Sequence, residues 1–177
     1  MDVIETLRLH LRPFTPDDAP ALFDIFRRPE VARWSGTGTP MADVAEASAR
    51  IERMPERAGG HPAAGIWAVV PHGSDSIAGM AMLVRIPASQ GFAGDDHEIG
   101  WHLHPDAWGS GYATEAASAL VQRARDAGLT HVVAVTDPAN VRSQAVCGRL
   151  GMTDLGPRSD WYDRELRAFR LDHHHPG

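Results

Sequence analysis

Trp108-Gly109-Ser110-Gly111-Tyr112-Ala113-Thr114 places small residues where an extended stretch must turn into a helix, and the chemistry such a run can do is anion binding. The first backbone N–H groups of a helix lack intrahelical acceptors and lie at the positive end of its dipole. They can hold a pyrophosphate if no side chain obstructs it. Gly109 and Gly111 clear that approach. Behind them Ala113, Ala116, Ala117, Leu120, Val121 and Ala124 recur at three- and four-residue spacing, predicting a helix with one apolar face that ends near Gly128. Ahead of them Glu98-Ile99-Gly100-Trp101-His102-Leu103-His104 alternates polar with apolar or aromatic residues as a strand does, and Pro105 ends it. Strand, glycine loop and helix follow in that order.

The chain has no lysine, and this removes several phosphate chemistries. A P-loop needs its lysine on the terminal phosphates, and kinase and Schiff-base chemistry fail for the same reason. A dinucleotide fold wants its glycines near the first strand and an acid after the next one. Here the glycines come late, although Asp137 does follow the next strand. Taken alone, the loop also reads as an ordinary helix cap.

Trp108-x-x-Gly111-x-Ala113, preceded by the strand at 98–105, resembles the coenzyme A pyrophosphate loop of the GNAT superfamily of N-acetyltransferases, and within it the RimJ/RimL-like branch. The resemblance runs from Glu5-Thr6-x-Arg8-Leu9-x-Leu11-Arg12-Pro13-Phe14 to Asn140-x-x-Ser143-x-x-Val146 and Arg149-Leu150-Gly151-Met152. Where the wider superfamily opens the loop with Arg or Gln, this chain has Trp108, as that branch does. The resemblance implies one acetyltransferase domain over residues 1–177, with its core at about 6–172. It implies acetyl-CoA as cosubstrate, coenzyme A as product, and direct attack in a ternary complex by a primary amine, either a small molecule or a protein N-terminus. A catalytically silent acyl-CoA-binding or regulatory module, or an acyltransferase using another donor such as succinyl-CoA, are the alternatives.

The elements that must position these residues are legible in outline. Leu7, Leu9 and Leu11 alternate with Arg8, His10 and Arg12 over 6–13, predicting a half-buried strand. Thr15-Pro16-Asp17-Asp18 then starts a helix to about residue 28, with Leu22, Phe23, Ile25 and Phe26 facing the core. A second helix is expected over 41–54, after the loop Gly36-Thr37-Gly38-Thr39-Pro40. Residues 66–70 and 77–86 read as a hairpin, 131–136 as a buried central strand, 140–150 as a short helix, and 166–171 as the strand closing the sheet. The fold class is α/β: a GNAT-like domain with a central mixed, mostly antiparallel twisted sheet and about four flanking helices.

Composition narrows the partners. A chain of 177 residues can bury one core. No apolar stretch approaches the roughly 18 residues that span a bilayer, and no signal pattern marks the N-terminus, so a cytoplasmic location without membrane attachment is expected. The single Cys147 forms no internal disulfide and no cysteine metal cluster. A net charge of −6 argues against nucleic acid and suits a cationic amine. His173-His174-His175 gives little reason to expect a metal, and none is assigned. A homodimer fits the family, although no self-complementary patch is evident.

Acetyl transfer needs a cofactor site, a base for the ammonium, charge stabilisation at the carbonyl, and a proton for the thiolate. The N–H groups between Gly109 and Thr114 would hold the pyrophosphate. The resemblance implies that the strand around Leu103 pairs with the pantetheine arm, that the Leu103 N–H polarises the acetyl carbonyl, and that Asn140 contacts the pantetheine as well as capping its helix. It also points to Glu98 as the general base, directly or through water, with burial raising its pKa. Asp95, Asp96 and His102 are rivals for that role, and anchoring the strand is the alternative role for Glu98. Much of the superfamily protonates the thiolate with a tyrosine seven residues after the helix asparagine; that position here is Cys147. Ser143, one turn earlier, therefore becomes the expected donor. Cys147 is expected to be a small buried side chain and not a nucleophile. Trp34, Ser35, Asp160, Trp161, Tyr162 and Asp163 are the candidates for the acceptor pocket, acids beside aromatics suiting an amine; core plugs are the alternative role for the aromatics.

Overall fold

A computed structural model describes residues 2–36 and 38–173. Of the sequence features above, Thr37, His174 and His175 lie outside the described residues. One eight-stranded sheet has the order β1-β2-β3-β4-β5-β6-β8-β7. Its strands are β1 (Ile4–Glu5), β2 (Leu9–Pro13), β3 (Gly65–Pro71), β4 (Gly79–Arg85), β5 (His97–Leu103), β6 (His131–Thr136), β7 (Thr153–Arg158) and β8 (Leu166–Asp172). Every neighbouring pair is antiparallel except β5 and β6. The helices are α1 (Ala19–Phe26), α2 (Pro29–Ala32), α3 (Val44–Ala58), α4 (Tyr112–Asp126) and α5 (Val141–Arg149).

The two faces of the central strands meet different helices. Trp67 and Val69 of β3, Ala81 and Leu83 of β4 and Ile99 of β5 pack with Ala116, Leu120 and Ala124 of α4. Ile66, Met80 and Val84 face the other way, onto Leu22, Phe26, Ile51 and Met54 of α1 and α3. Cover on both faces explains why β3 reads as an unbroken apolar run.

Several expectations shift. The strand predicted over 6–13 begins only at Leu9; Leu7 is 89 % exposed because Thr6 and Leu9 form a turn before pairing starts. The helix expected up to about residue 28 is a 3-10 turn followed by α1, which ends at Phe26, and the short α2 beyond it starts at Pro29, a residue suited to a first helical position. The second helix starts later than expected, at Val44, where the Asp43 side chain accepts from the Glu46 N–H, and it runs through Pro55 to Gly59 in the left-handed region. β8 does not close the sheet. It lies inside, between β6 and an outer β7 that no sequence pattern marks.

Between β5 and β6 the sheet opens. Their parallel pairing is registered only at Glu98 and Val133, and the strands then diverge toward the starts of α4 and α5. The result is a cleft of about 2110 Å³ running from the glycine loop, past the end of β5, to α2 and α3.

Candidate active site

The glycine loop forms one wall. Gly109 and Gly111 have φ of 80° and 82°, in the left-handed region that a side chain would strain. Gly111 is the N-cap of α4, and no side chain caps that end. The first regular bond of α4 runs from the Glu115 N–H to the Gly111 carbonyl, which leaves the N–H groups of Tyr112, Ala113 and Thr114 without helical acceptors. Arg8 braces the turn from outside, donating to the Ser110 carbonyl at 2.9 Å and to the Glu115 carboxylate at 2.7 Å. Ser110 is therefore a contact for Arg8 and does not line the cleft.

Two further cations stand at this wall, neither given a role from the sequence. The Arg142 guanidinium lies over the Trp108 ring at 4.7 Å, and Arg149 donates to Thr114 Oγ1 at 3.0 Å. Both line the cleft. In the sequence they occupy unremarkable positions of the last helix; only the fold brings them to the loop.

The edge of β5 is the floor. His104 N–H donates to the Ala78 carbonyl on the β4 side, so strand alternation turns the N–H groups of Trp101 and Leu103 toward the opening. The Leu103 carbonyl on that side accepts from the Trp108 indole at 3.0 Å, which ties the loop to the strand. Across the opening, Asn140 caps α5 by accepting from the Ser143 N–H at 3.2 Å. Ser143 lines the cleft, and its hydroxyl makes no hydrogen bond among the described residues. Thr136 Oγ1, buried at the end of β6, likewise has no partner among them.

Glu98 lies where β5 and β6 part. It is buried, accepts from the Tyr162 hydroxyl at 2.5 Å, and has Arg57 Nη2 at 3.9 Å. Burial pushes its pKa up to about 7 against the opposing pull of Tyr162 and Arg57. Burial and the Glu98 charge push the Tyr162 phenol up as well, so it stays protonated and donates. Tyr162 reaches this point from a loop on the far side of β6, where it and Asp163 have φ of 61° and 51°. Arg57 clamps the loop by donating to the Tyr162 hydroxyl at 2.8 Å and to the Arg85 carbonyl at 2.9 Å.

The rivals of Glu98 are otherwise engaged. Asp95 pairs with Arg85 at 2.6 Å. Asp96 holds His131 at 2.7 Å and the Trp161 indole at 3.2 Å. His102 does line the cleft, but burial and the nearby Arg50 push its pKa down to about 3, which leaves a feeble base.

The expected acceptor residues divide. Trp34, Ser35 and Tyr162 line the cleft, although the Ser35 hydroxyl is spent on the Ala32 carbonyl at 2.7 Å. Trp161 does not line it; its ring is buried with Ile86, Val133 and Ala168. Asp160 pairs with Arg158, and Asp163 accepts from the Gln90 N–H. Asp160 is held by its own loop and Asp163 ties that loop to the segment at Gln90, and neither carboxylate lines the cleft. Cys147 is 0 % exposed, its thiol pushed up to about 12 by burial.

Beyond this geometry, the chain is similar to known proteins. The acetyltransferase (GNAT) domain family matches residues 8–153. The chain belongs to that family. Its relatives include the FsC-acetyl coenzyme A-N(2)-transacetylase of Aspergillus fumigatus, 28 % identical over 90 % of this chain and 68 % of that protein. An acetyltransferase crystal structure from Agrobacterium tumefaciens is 28 % identical and superposes with a TM-score of 0.77, covering 98 % of this chain and 95 % of that one. RimL, a ribosomal alpha-N-protein acetyltransferase solved in complex with coenzyme A, is alike in fold, with a TM-score of 0.77 at 16 % identity over 97 % of this chain and 98 % of that one. The GNAT chain described here is an N-acetyltransferase, the enzyme class that its motifs implied. Among its described residues no helix is long and apolar enough to cross a membrane.

Proposed function

We propose that this GNAT enzyme transfers an acetyl group from acetyl-CoA to a primary amine by direct attack, with Glu98 as general base. The observation that carries the reading is the Glu98 carboxylate, buried at the parting of β5 and β6 and raised to about 7. A base with a pKa near the working pH is deprotonated often enough to act and basic enough to take the proton.

The cosubstrate fits the residues present. The bare N-terminus of α4, with Arg142 and Arg149 beside it, suits a pyrophosphate, and the orphaned Thr136 hydroxyl and the open edge of β5 suit a polar, strand-like arm. When bound, acetyl-CoA supplies an activated thioester. The Leu103 N–H would then donate to the acyl oxygen, Glu98 would take the amine proton directly or through one water, and Ser143 Oγ would give a hydrogen bond to the departing sulfur. Tyr162 and Arg57 orient the carboxylate. Cys147 takes no part, since a buried thiol pushed up to about 12 is not a nucleophile at neutral pH.

Thiol release from acetyl-CoA by the purified protein, measured against a pooled amine library, tests the proposal. Turnover in the wild type that is lost in Glu98→Gln is expected. Tight coenzyme A binding without thiol release from any amine would replace the enzyme reading with that of a silent binding module. Faster release from succinyl-CoA would reassign the donor.

A further inference from the structure

The helix α3 turns a row of charge toward the acceptor side of the cleft: Glu46, Arg50, Arg53 and Arg57, at four-, three- and four-residue steps. Its ends are committed. Glu46 accepts from the Ala42 N–H at 2.9 Å, and Arg57 holds Tyr162 and faces Glu98. The middle is not. Arg53 donates only to the Ala49 carbonyl one turn back. Arg50 makes no hydrogen bond or ion pair among the described residues; its guanidinium lies over the Phe26 ring, 4.0 Å from the centroid. Of the glutamates on the same rim, Glu46 acts on Arg50 through its charge from one turn away, Glu30 and Glu56 are exposed, and none bonds to either arginine. Burial lowers the Arg50 pKa to about 10, so the group is still charged at neutral pH. A cation held largely out of water with no acceptor is costly until something supplies one.

Its place in the site is definite. The Phe26 ring packs on His102 at 5.1 Å between centroids, and His102 lies on the same face of β5 as Glu98. The helix therefore runs above the strand with Arg57 over Glu98 and Arg50 toward His102. Seven helical residues set Arg50 about 10 Å from Arg57.

From this row we infer that the acceptor carries an anionic group besides its reacting amine, a carboxylate being the plainest case, and that Arg50 and Arg53 bind it. The inference rests on the acetyl-transfer reading only for which end of the acceptor reacts. A guanidinium fork matches a carboxylate through two parallel bonds. The acidic composition suits a cationic acceptor, but Asp160 and Asp163 are engaged by Arg158 and by the Gln90 N–H. A free amino acid and a peptide with an acidic side chain both present the required chemistry.

The test uses matched pairs: free amino acids against their α-amides, and short peptides with Asp or Glu against the same peptides with Asn or Gln. For at least one series, kcat/KM by thiol release is expected to favour the acid about tenfold or more, as charged hydrogen bonds of this kind predict. The ratio should fall toward one in R50Q and R53Q, mainly through KM, and recover in part in R50K. Which series responds identifies the source. Equal rates for acid and amide in both series would overturn the inference while leaving acetyl transfer intact. If no acceptor releases thiol, calorimetry of the same pairs with coenzyme A present still decides: acid-selective binding lost in R53Q supports the arginine site, and unselective binding overturns it.

Discussion

The Tyr162 hydroxyl donates to the Glu98 carboxylate at 2.5 Å, joining the parting of β5 and β6 to a loop 64 residues away in sequence. That bond favours the charged carboxylate, and burial opposes it. The balance leaves Glu98 titrating at about 7. In the proposed role of general base Glu98 works deprotonated, so log kcat/KM for acetyl transfer should rise with unit slope below pH 7 and flatten above it. In Tyr162→Phe the donor that holds the pKa down is gone, and the inflection should move to higher pH. An inflection that stays in place in Tyr162→Phe would separate the profile from Glu98.

Glu98→Gln should trade activity for stability. Removing a positioned base costs on the order of 10²–10⁴ in rate. The folded carboxyl binds its proton more tightly than the unfolded one, so its cost to stability is absent below pH 4.5, grows up to about 7, and is constant above. The neutral amide escapes that cost. Thermal melts at pH 8 should show Glu98→Gln more stable than wild type, by at most ~3 kcal/mol from the shift, and the gain should vanish near pH 4. A variant destabilised at pH 8 would mean that Glu98 holds the strand by its charge, the structural role.

Much of this was readable from the residues, and what was missed has physical causes. The glycine loop, α4 and β6 were legible because glycines and an apolar period bound them locally. β7 was not: Thr153–Arg158 is exposed almost throughout, includes a proline, and shows no alternation, as an outer strand can. Glu98 was legible as a carboxylate on the strand before the glycine loop, whereas its partners were not. Tyr162 reaches it through two left-handed residues in a loop, and Arg57 lies beyond residue 54, where the helix expected from the sequence stops and Pro55 follows. Trp161 and Tyr162 are adjacent and aromatic, yet one fills the core and the other faces the cleft; only the turn of the loop separates those fates.

Ser143 and Cys147 should separate cleanly. Ser143 Oγ faces the cleft without a partner among the described residues, so Ser143→Ala should lower kcat about tenfold or more with little change in acetyl-CoA KM, if the hydroxyl bonds to the departing sulfur. Cys147 is sealed in the core, so Cys147→Ala should keep its turnover and lose about 1–2 kcal/mol of stability from the small cavity. Alkylating reagents should label native Cys147 only as fast as the fold opens, and activity should outlast the reagent. Rapid inactivation by alkylation, prevented in Cys147→Ala, would bring back a thiol in the chemistry.

Gly109 and Gly111 share a left-handed backbone but differ in what surrounds them, and this allows conformational strain to be told apart from loss of the anion cradle. An alanine at either position pays for φ near +80°, on the order of 1 kcal/mol, so both variants should melt a few degrees lower. A Cβ at Gly109 would meet nothing within 4 Å, whereas one at Gly111 would stand 3.3 Å from Arg8 Nη2. Arg8 cannot yield freely, because it is bound to Glu115 and to the Ser110 carbonyl. Gly111→Ala should therefore displace the turn and weaken coenzyme A binding by calorimetry about tenfold, well beyond Gly109→Ala, and Arg8→Ala should restore part of the loss by making room. Equal affinity losses in the two glycine variants, unchanged by Arg8→Ala, would mean that backbone strain alone shapes the cradle and that the Arg8 brace serves only the fold.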